Sequence, residues 1–259
     1  MSSSSGILQL GQRAFHLGMV VYYAAVNIRI VMDMEHAYEK LGRPKGDPEV
    51  KRMLDGSATY FTMWNLVMQE LYFTLCCTEY LFEYFPKALS PNMQEQLRSF
   101  RKMYLPVFLF PSSCEVVYTY WSRYAYSPPQ VFGDILDAIN PMWINHAIHS
   151  NIVPIAILEL LLRARTEGVW DGGQLNDTFK LFTLFTAYLA TVLVGRHRRG
   201  CWPYPFMDSM DMKEFWAFTC FCYIMGWIYL CLGRGLTRIF SVGMRAERPS
   251  PVSSKMKVR

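Results

Sequence analysis

Pro141-Met142-Trp143-Ile144-Asn145-His146-Ala147-Ile148-His149-Ser150-Asn151-Ile152-Val153-Pro154 runs on through Ile155-Ala156-Ile157-Leu158-Glu159-Leu160-Leu161-Leu162 to Arg163. The stretch is long and apolar enough to cross a bilayer, which takes roughly 20 residues. Its first half nevertheless holds Asn145, His146, His149, Ser150 and Asn151. A polar group buried in hydrocarbon without a partner is strongly disfavoured, so side chains kept at that depth face a polar interior, and an ionisable one marks a functional site by default. On a helix, His149 shares a face with Asn145 and His146. Pro154 lacks a backbone donor and is expected to kink the helix near this cluster.

Outward from this stretch, the chain shows the same contrast. Its 259 residues are 52% hydrophobic and 15% aromatic with a mean hydropathy of +0.09, which suits either a large soluble domain or a small membrane bundle. Segregation decides between them. The charges fall in runs between long apolar blocks, whereas a soluble helical protein interleaves them at a period near 3.6. Besides the opening stretch, blocks lie at about 14–32, 60–85, 103–120, 179–194 and 215–232. They predict an all-α fold, a polytopic membrane helix bundle of about six transmembrane helices. The expected organisation is a polar leader at 1–13, a single membrane-embedded domain at 14–240 and a basic tail at 241–259. Pro106 and Pro111 are tolerable in a membrane helix whose neighbours satisfy the freed carbonyls. The aromatic run at 121–126 reads as interfacial, as does the turn-rich segment at 200–206.

The net charge of +5 does not point to nucleic acid, because the basic residues border apolar segments and form no nucleic-acid motif. Cys76, Cys77, Cys114, Cys220, Cys222 and Cys231 sit inside apolar blocks, which suits small buried side chains and not an extracellular disulfide framework. No cysteine pair has zinc-site spacing. The start has neither the basic region nor the short apolar core of a cleaved signal peptide. Lys and Arg on the side of the termini outnumber those opposite, so the positive-inside rule favours cytosolic termini.

The second block carries a polar seam, with Thr62, Asn65 and Gln69 along one helical stripe. A lone membrane threonine usually bonds its own i−4 carbonyl, and a lone buried histidine usually serves packing. Together they suggest chemistry: a threonine hydroxyl is a poor nucleophile until a base takes its proton, and histidine is the usual base. Asn145 or Asn65 could orient the imidazole or donate to an oxyanion. A metal held by His146, His149 and Glu159 is not expected, since Glu159 lies nearly three turns away and the histidines a di-iron site needs are missing. No cofactor is expected either, because no P-loop, dinucleotide glycine pattern or serine-hydrolase elbow occurs. The alternative is a non-enzymatic membrane carrier or regulatory protein, with His149, Glu70 and Glu159 as an intramembrane relay.

Thr62-Met63-Trp64-Asn65-Leu66-Val67-Met68-Gln69, Phe110-Pro111, Tyr124-Ala125-Tyr126, the Asn145-His146-Ala147-Ile148-His149 group with Pro154 and Glu159, and Gly200-Cys201-Trp202-Pro203-Tyr204-Pro205-Phe206 follow one another in a particular order and spacing. In these segments the chain, from about residue 10 to 240, resembles the androgen-induced and androgen-dependent TFPI-regulating protein family. The resemblance implies a multi-pass membrane hydrolase that cleaves fatty acid esters of hydroxy fatty acids with an intramembrane threonine and histidine. Carried onto this chain, the nucleophile is Thr62 and the histidine is His149, with His146 a neighbour. The implied partners are a lipid ester substrate and the bilayer itself; the oligomeric state stays open. Lys255 and Lys257 resemble a retrieval signal for the endoplasmic reticulum, although a basic tail attracted to anionic lipid is the plainer reading; the expected location is that membrane or the plasma membrane.

Overall fold

The computed structural model describes residues 3–168, 170 and 172–246. Among these the chain is helical and contains no strand. Helix α1 (Ser3–Glu35) takes in the first apolar block together with most of the polar residues before it. Short helices α2 (Ala37–Lys40) and α3 (Pro48–Gly56) fill the polar segment that follows. The second block becomes α4 (Phe61–Tyr84). Helix α5 (Pro91–Tyr104) runs through a π-helical stretch, Leu105–Leu109, into α6 (Phe110–Tyr126). Next come α7 (Gly133–Ile139), α8 (Met142–His149), α9 (Ile152–Thr166), α10 (Gln174–Arg199) and α11 (Met212–Ala246).

Local chemistry sets the ends. The Asp47 carboxylate caps α3 by accepting from the amides of Glu49 and Val50, at 3.1 and 3.2 Å, with Pro48 opening the first turn. Ser90 and Pro91 do the same for α5. Gly200, at φ 73°, takes the left-handed conformation that stops α10. The π-helical stretch contains Pro106, which cannot donate to the preceding turn, so the helix widens there instead of breaking.

The kink expected from Pro154 is present. Helices α8 and α9 meet at 46°. Pro154 has no N–H for the carbonyl of Ser150, four residues back, and the break falls at residues 150–151, where the carbonyl of His146 accepts from the amides of both Ser150 and Asn151. His149 is therefore the last residue of α8, at an elbow and not inside a continuous rod.

Helix α1 packs along α4, while α11 lies against α6 and α9. Tyr23, Tyr72, Phe73, Phe110, Ile144 and Ile152 are among the side chains of the central core. The outer faces are apolar too: Leu17, Val21 and Ile28 of α1, Phe179 of α10, and Ile224 and Trp227 of α11 are exposed. Gln12, His16, Asn65, Gln69, Asn145, His149 and Glu159 are buried. Polar side chains inside and apolar ones outside are what a bilayer demands. Residues Gly6–Glu35, Gln174–Arg199 and Met212–Ser241 are each long and apolar enough to span, and the bent α8–α9 pair makes a fourth. The protein is an all-α membrane bundle. Helix α4, with Glu70, Glu79 and Glu83, and the polar α5 leading into α6 lack that composition, so four of the six expected spans are supported by length and apolarity.

A buried ionic cluster ties three of these elements together. Both carboxylate oxygens of Glu159 on α9 lie 3.0 Å from Nε2 of His16 on α1. The hydroxyl of Tyr72 on α4 donates to Glu159 at 2.8 Å, and Arg163 Nε at 2.6 Å. Arg163 also reaches Cys76 Sγ at 3.0 Å. His16, Cys76 and Glu159 lie close enough to share a metal ion, but the Arg163 guanidinium already contacts two of the three donors and supplies the positive charge there.

Candidate active site

Thr62 is the second residue of α4 and His149 the last of α8, and the fold brings them together. Thr62 Oγ1 lies 3.3 Å from His149 Nε2. The other ring nitrogen, Nδ1, is 2.7 Å from Asn145 Oδ1, one turn back on α8. Asn145 in turn donates through Nδ2 to Asp137 Oδ1 of α7 at 2.8 Å, and Asp137 also accepts from the hydroxyl of Tyr124 on α6.

These bonds fix the proton assignment by elimination. A carboxylate can only accept, so it takes the amide side of Asn145 and leaves the carbonyl oxygen facing the ring. That oxygen requires a proton on Nδ1, and the neutral imidazole then carries its lone pair on Nε2, toward the Thr62 hydroxyl. The ring is also clamped in its plane. Tyr120 stacks on it with centroids 3.4 Å apart and planes 2° apart. The indole N–H of Trp121 donates to the His149 carbonyl at 2.7 Å and to Ser150 Oγ at 3.1 Å, filling positions that the elbow leaves open.

Of the residues singled out from sequence, Thr62, His149 and Asn145 converge and Asn65 does not. Asn65 donates to Ser113 Oγ at 3.2 Å, beside Gln69 at 3.0 Å, so its amide braces α4 against α6. His146 is exposed and bonds Ser150 at 3.1 Å. Glu159 belongs to the His16 cluster, and Glu70 accepts from Asn27. Among the described residues, no chain of hydrogen bonds links His149 with Glu70 and Glu159, as a relay would need.

Thr62 borders two cavities. One, of about 120 Å³, is walled mainly by Phe61, Phe185, Tyr188, Phe215 and Phe218. Phe185 on its wall packs against Gly226 of α11, where a Cβ would come within 2.4 Å of the ring. The other, of about 40 Å³, has His149, Tyr60, Tyr120 and Tyr204 on its walls, which is room for at least one water, since one needs about 10–15 Å³.

The chain matches the FAR-17a/AIG1-like protein family over residues 12–238, which takes in every residue of this site and all of the bundle but the start of α1 and the end of α11. The chain belongs to that family. This FAR-17a/AIG1-like protein is 26% identical over 212 residues to the androgen-dependent TFPI-regulating protein of Mus musculus, covering 82% of this chain and 85% of that one. It is 27% identical over 208 residues to the Homo sapiens protein of the same name, at 79% and 87% coverage. It is 28% identical over 159 residues to the androgen-induced gene 1 protein of Homo sapiens, covering 60% and 65%. No solved structure matches.

In this FAR-17a/AIG1-like protein, sequence reasoning missed Tyr120, Trp121, Tyr124 and Asp137. The aromatic run at 121–126, which forms the last turns of α6, reads from sequence as interfacial. Tyr126 is exposed, but Trp121 and Tyr124 are partly buried and turn toward α8 and α7. Asp137 carries no local signal, since it reaches Asn145 only through the turn between α7 and α8.

Proposed function

We propose that this protein is an integral membrane lipid ester hydrolase acting on fatty acid esters of hydroxy fatty acids. The observation that carries the reading is Thr62 Oγ1 at 3.3 Å from a His149 Nε2 whose tautomer is set by Asn145, with an apolar cavity alongside. His149 Nε2 takes the Thr62 proton as Oγ1 attacks the ester carbonyl, and the carbonyl electron pair moves onto oxygen. The imidazolium returns that proton to the departing alkoxide as the ester C–O bond breaks, which frees the hydroxy acid and leaves an acyl-threonine. A water entering the smaller cavity then gives a proton to Nε2 and attacks the acyl carbon; the bond from that carbon to Thr62 Oγ1 breaks, Oγ1 takes the proton from the imidazolium, and the fatty acid leaves.

The developing oxyanion needs donors. Both candidate side-chain amides, those of Asn145 and Asn65, are engaged elsewhere. In the first turn of this 24-residue helix the N–H of Phe61 donates to Tyr204 and those of Met63 and Trp64 to the Tyr60 carbonyl, which leaves the backbone N–H of Thr62 without a partner among the described residues, at the end where the helix dipole favours negative charge. This N–H is the donor in the reading proposed here. The apolar outer faces allow a lipid ester to enter from the bilayer, in the endoplasmic reticulum or plasma membrane with cytosolic termini. Lys255 and Lys257 lie outside the described residues.

Purified protein should hydrolyse a branched fatty acid ester of a hydroxy fatty acid and leave an unbranched triglyceride largely untouched. No turnover of either would refute the reading. Asn145→Leu keeps the volume but removes the acceptor for Nδ1–H, so kcat should fall by about 100-fold or more with KM little changed. Equal activity in this variant would show that Asn145 does not orient the base.

A further inference from the structure

Glu115 of α6 is a buried side chain for which neither the core nor the proposed chemistry accounts. It is 5% exposed. One oxygen, Oε1, accepts from Thr119 Oγ1 at 3.3 Å, one turn along the same helix. The other, Oε2, is buried and receives no N–H or O–H donor among the described residues; only the Cys222 thiol of α11, a weak donor, lies beside the carboxyl. A carboxyl oxygen left in that condition is strongly unfavourable. It is retained here in the wall of the same aromatic cavity that Thr62 borders.

We propose that Glu115 is the polar subsite of this cavity, hydrogen-bonding a free hydroxyl carried on the acyl chain, distinct from the oxygen esterified at the reacting end, and that it selects acyl chains bearing such a hydroxyl over plain ones. Three properties of the site argue for a hydroxyl. A hydroxyl both donates and accepts, so it can satisfy Glu115 whether the carboxyl is ionised or protonated. A lipid carboxylate would set two like groups side by side in an apolar cavity, which disfavours its charge. An ammonium would have to shed its water for a single partner, a poor exchange at that depth.

Thr62 and Glu115 border the same cavity, so a chain whose head lies at Thr62 can present a hydroxyl to Glu115 along its length. Only the identity of the reacting end rests on the hydrolase reading; the hydroxyl contact does not.

The test uses binding, with ligands that contain no ester, so its failure and the failure of the hydrolase reading can be told apart. The full-length protein in lipid nanodiscs is titrated with stearic acid and with hydroxystearic acids that differ in hydroxyl position. The wild type should bind the favoured hydroxystearic acid about tenfold more tightly than stearic acid, the scale of one hydrogen bond to a group otherwise left unpaired. Glu115→Leu should abolish that preference and leave stearic acid bound as well as before or better. Equal binding of all the acids by the wild type, or equal weakening of all of them by Glu115→Leu, would overturn the proposal. Should Glu115→Leu fail to assemble, difference infrared spectra of the wild type carry the test. A buried carboxyl band, missing in Glu115→Gln, should shift with hydroxystearic acid and stay in place with stearic acid; the same shift with both acids, or none, would overturn it.

Discussion

Thr62→Ala should lower hydrolysis of a fatty acid ester of a hydroxy fatty acid by at least about 1000-fold while leaving the protein folded, because it removes the only atom proposed to bond the acyl group. Loss of a nucleophile typically leaves only the rate that binding and oxyanion contacts provide. Thr62 is partly buried at the start of α4, and alanine is a good helix former, so the melting temperature should barely move. Thr62→Ser keeps the hydroxyl and should keep measurable turnover. His149→Ala should lose activity to a similar degree, and the double variant should be little worse than either single one, because the two groups act as a unit. His149→Ala also leaves a space under the Tyr120 ring and should be less stable than Thr62→Ala. Activity within tenfold of wild type in a well-folded Thr62→Ala would remove Thr62 from the chemistry.

The largest expected effect on stability lies elsewhere, in the cluster around Glu159. Its carboxylate is fully buried and accepts from His16, Tyr72 and Arg163. Glu159→Leu would leave the Tyr72 hydroxyl and the His16 Nε2–H without their acceptor and take from Arg163 its buried carboxylate, leaving it only that of Glu167. Removing one partner of a buried ion pair costs about 3–5 kcal/mol, enough to lower the midpoint of thermal unfolding in detergent sharply. Since apolar replacement of both partners is often tolerated, Glu159→Leu with Arg163→Met should recover much of the loss. Hydrolysis per folded molecule should change little in either variant, because among the described residues no hydrogen bond joins this cluster to His149. An unchanged midpoint in Glu159→Leu would contradict the structural role assigned to the cluster, and a selective loss of turnover would couple it to the site.

Much of the fold is legible in the residues because bilayer solvation leaves a coarse mark: six apolar blocks separated by charged runs, each of which becomes helix. Their ends were less legible. Helix α10 starts at Gln174 and ends at Arg199, well beyond the apolar block at 179–194, because hydrogen bonding carries a helix into polar sequence that hydropathy ignores. The elbow at residues 150–151 followed from one atom, the missing N–H of Pro154. For α4 and α6 the polar residues that blur the hydropathy signal are the ones that build the interior: Asn65 and Gln69 meet Ser113, and Glu115 faces the cavity.

The site was legible to the extent that it rests on helical spacing. Asn145 and His149 are one turn apart, so their bond follows from the sequence. Whether Thr62 or Asn65 meets the imidazole does not, because both lie on one stripe of α4 and the choice depends on how far α4 is shifted along α8. The tautomer depends on Asp137 and Tyr124, which come from two further elements. Glu159 shows the same limit. From sequence it is weighed with His146, His149 and Glu70, and its actual partner is His16, far away near the start of the chain.

The most direct measurement is covalent capture of the nucleophile. Protein in membranes or nanodiscs is treated with a long-chain lipase-type phosphonate, digested and mapped by mass spectrometry. The account predicts one adduct, on the Thr62 hydroxyl, much reduced in His149→Ala and blocked by prior addition of the lipid ester. An unlabelled Thr62 in protein that still turns over the ester, or an adduct on some other residue that the ester blocks, would contradict it.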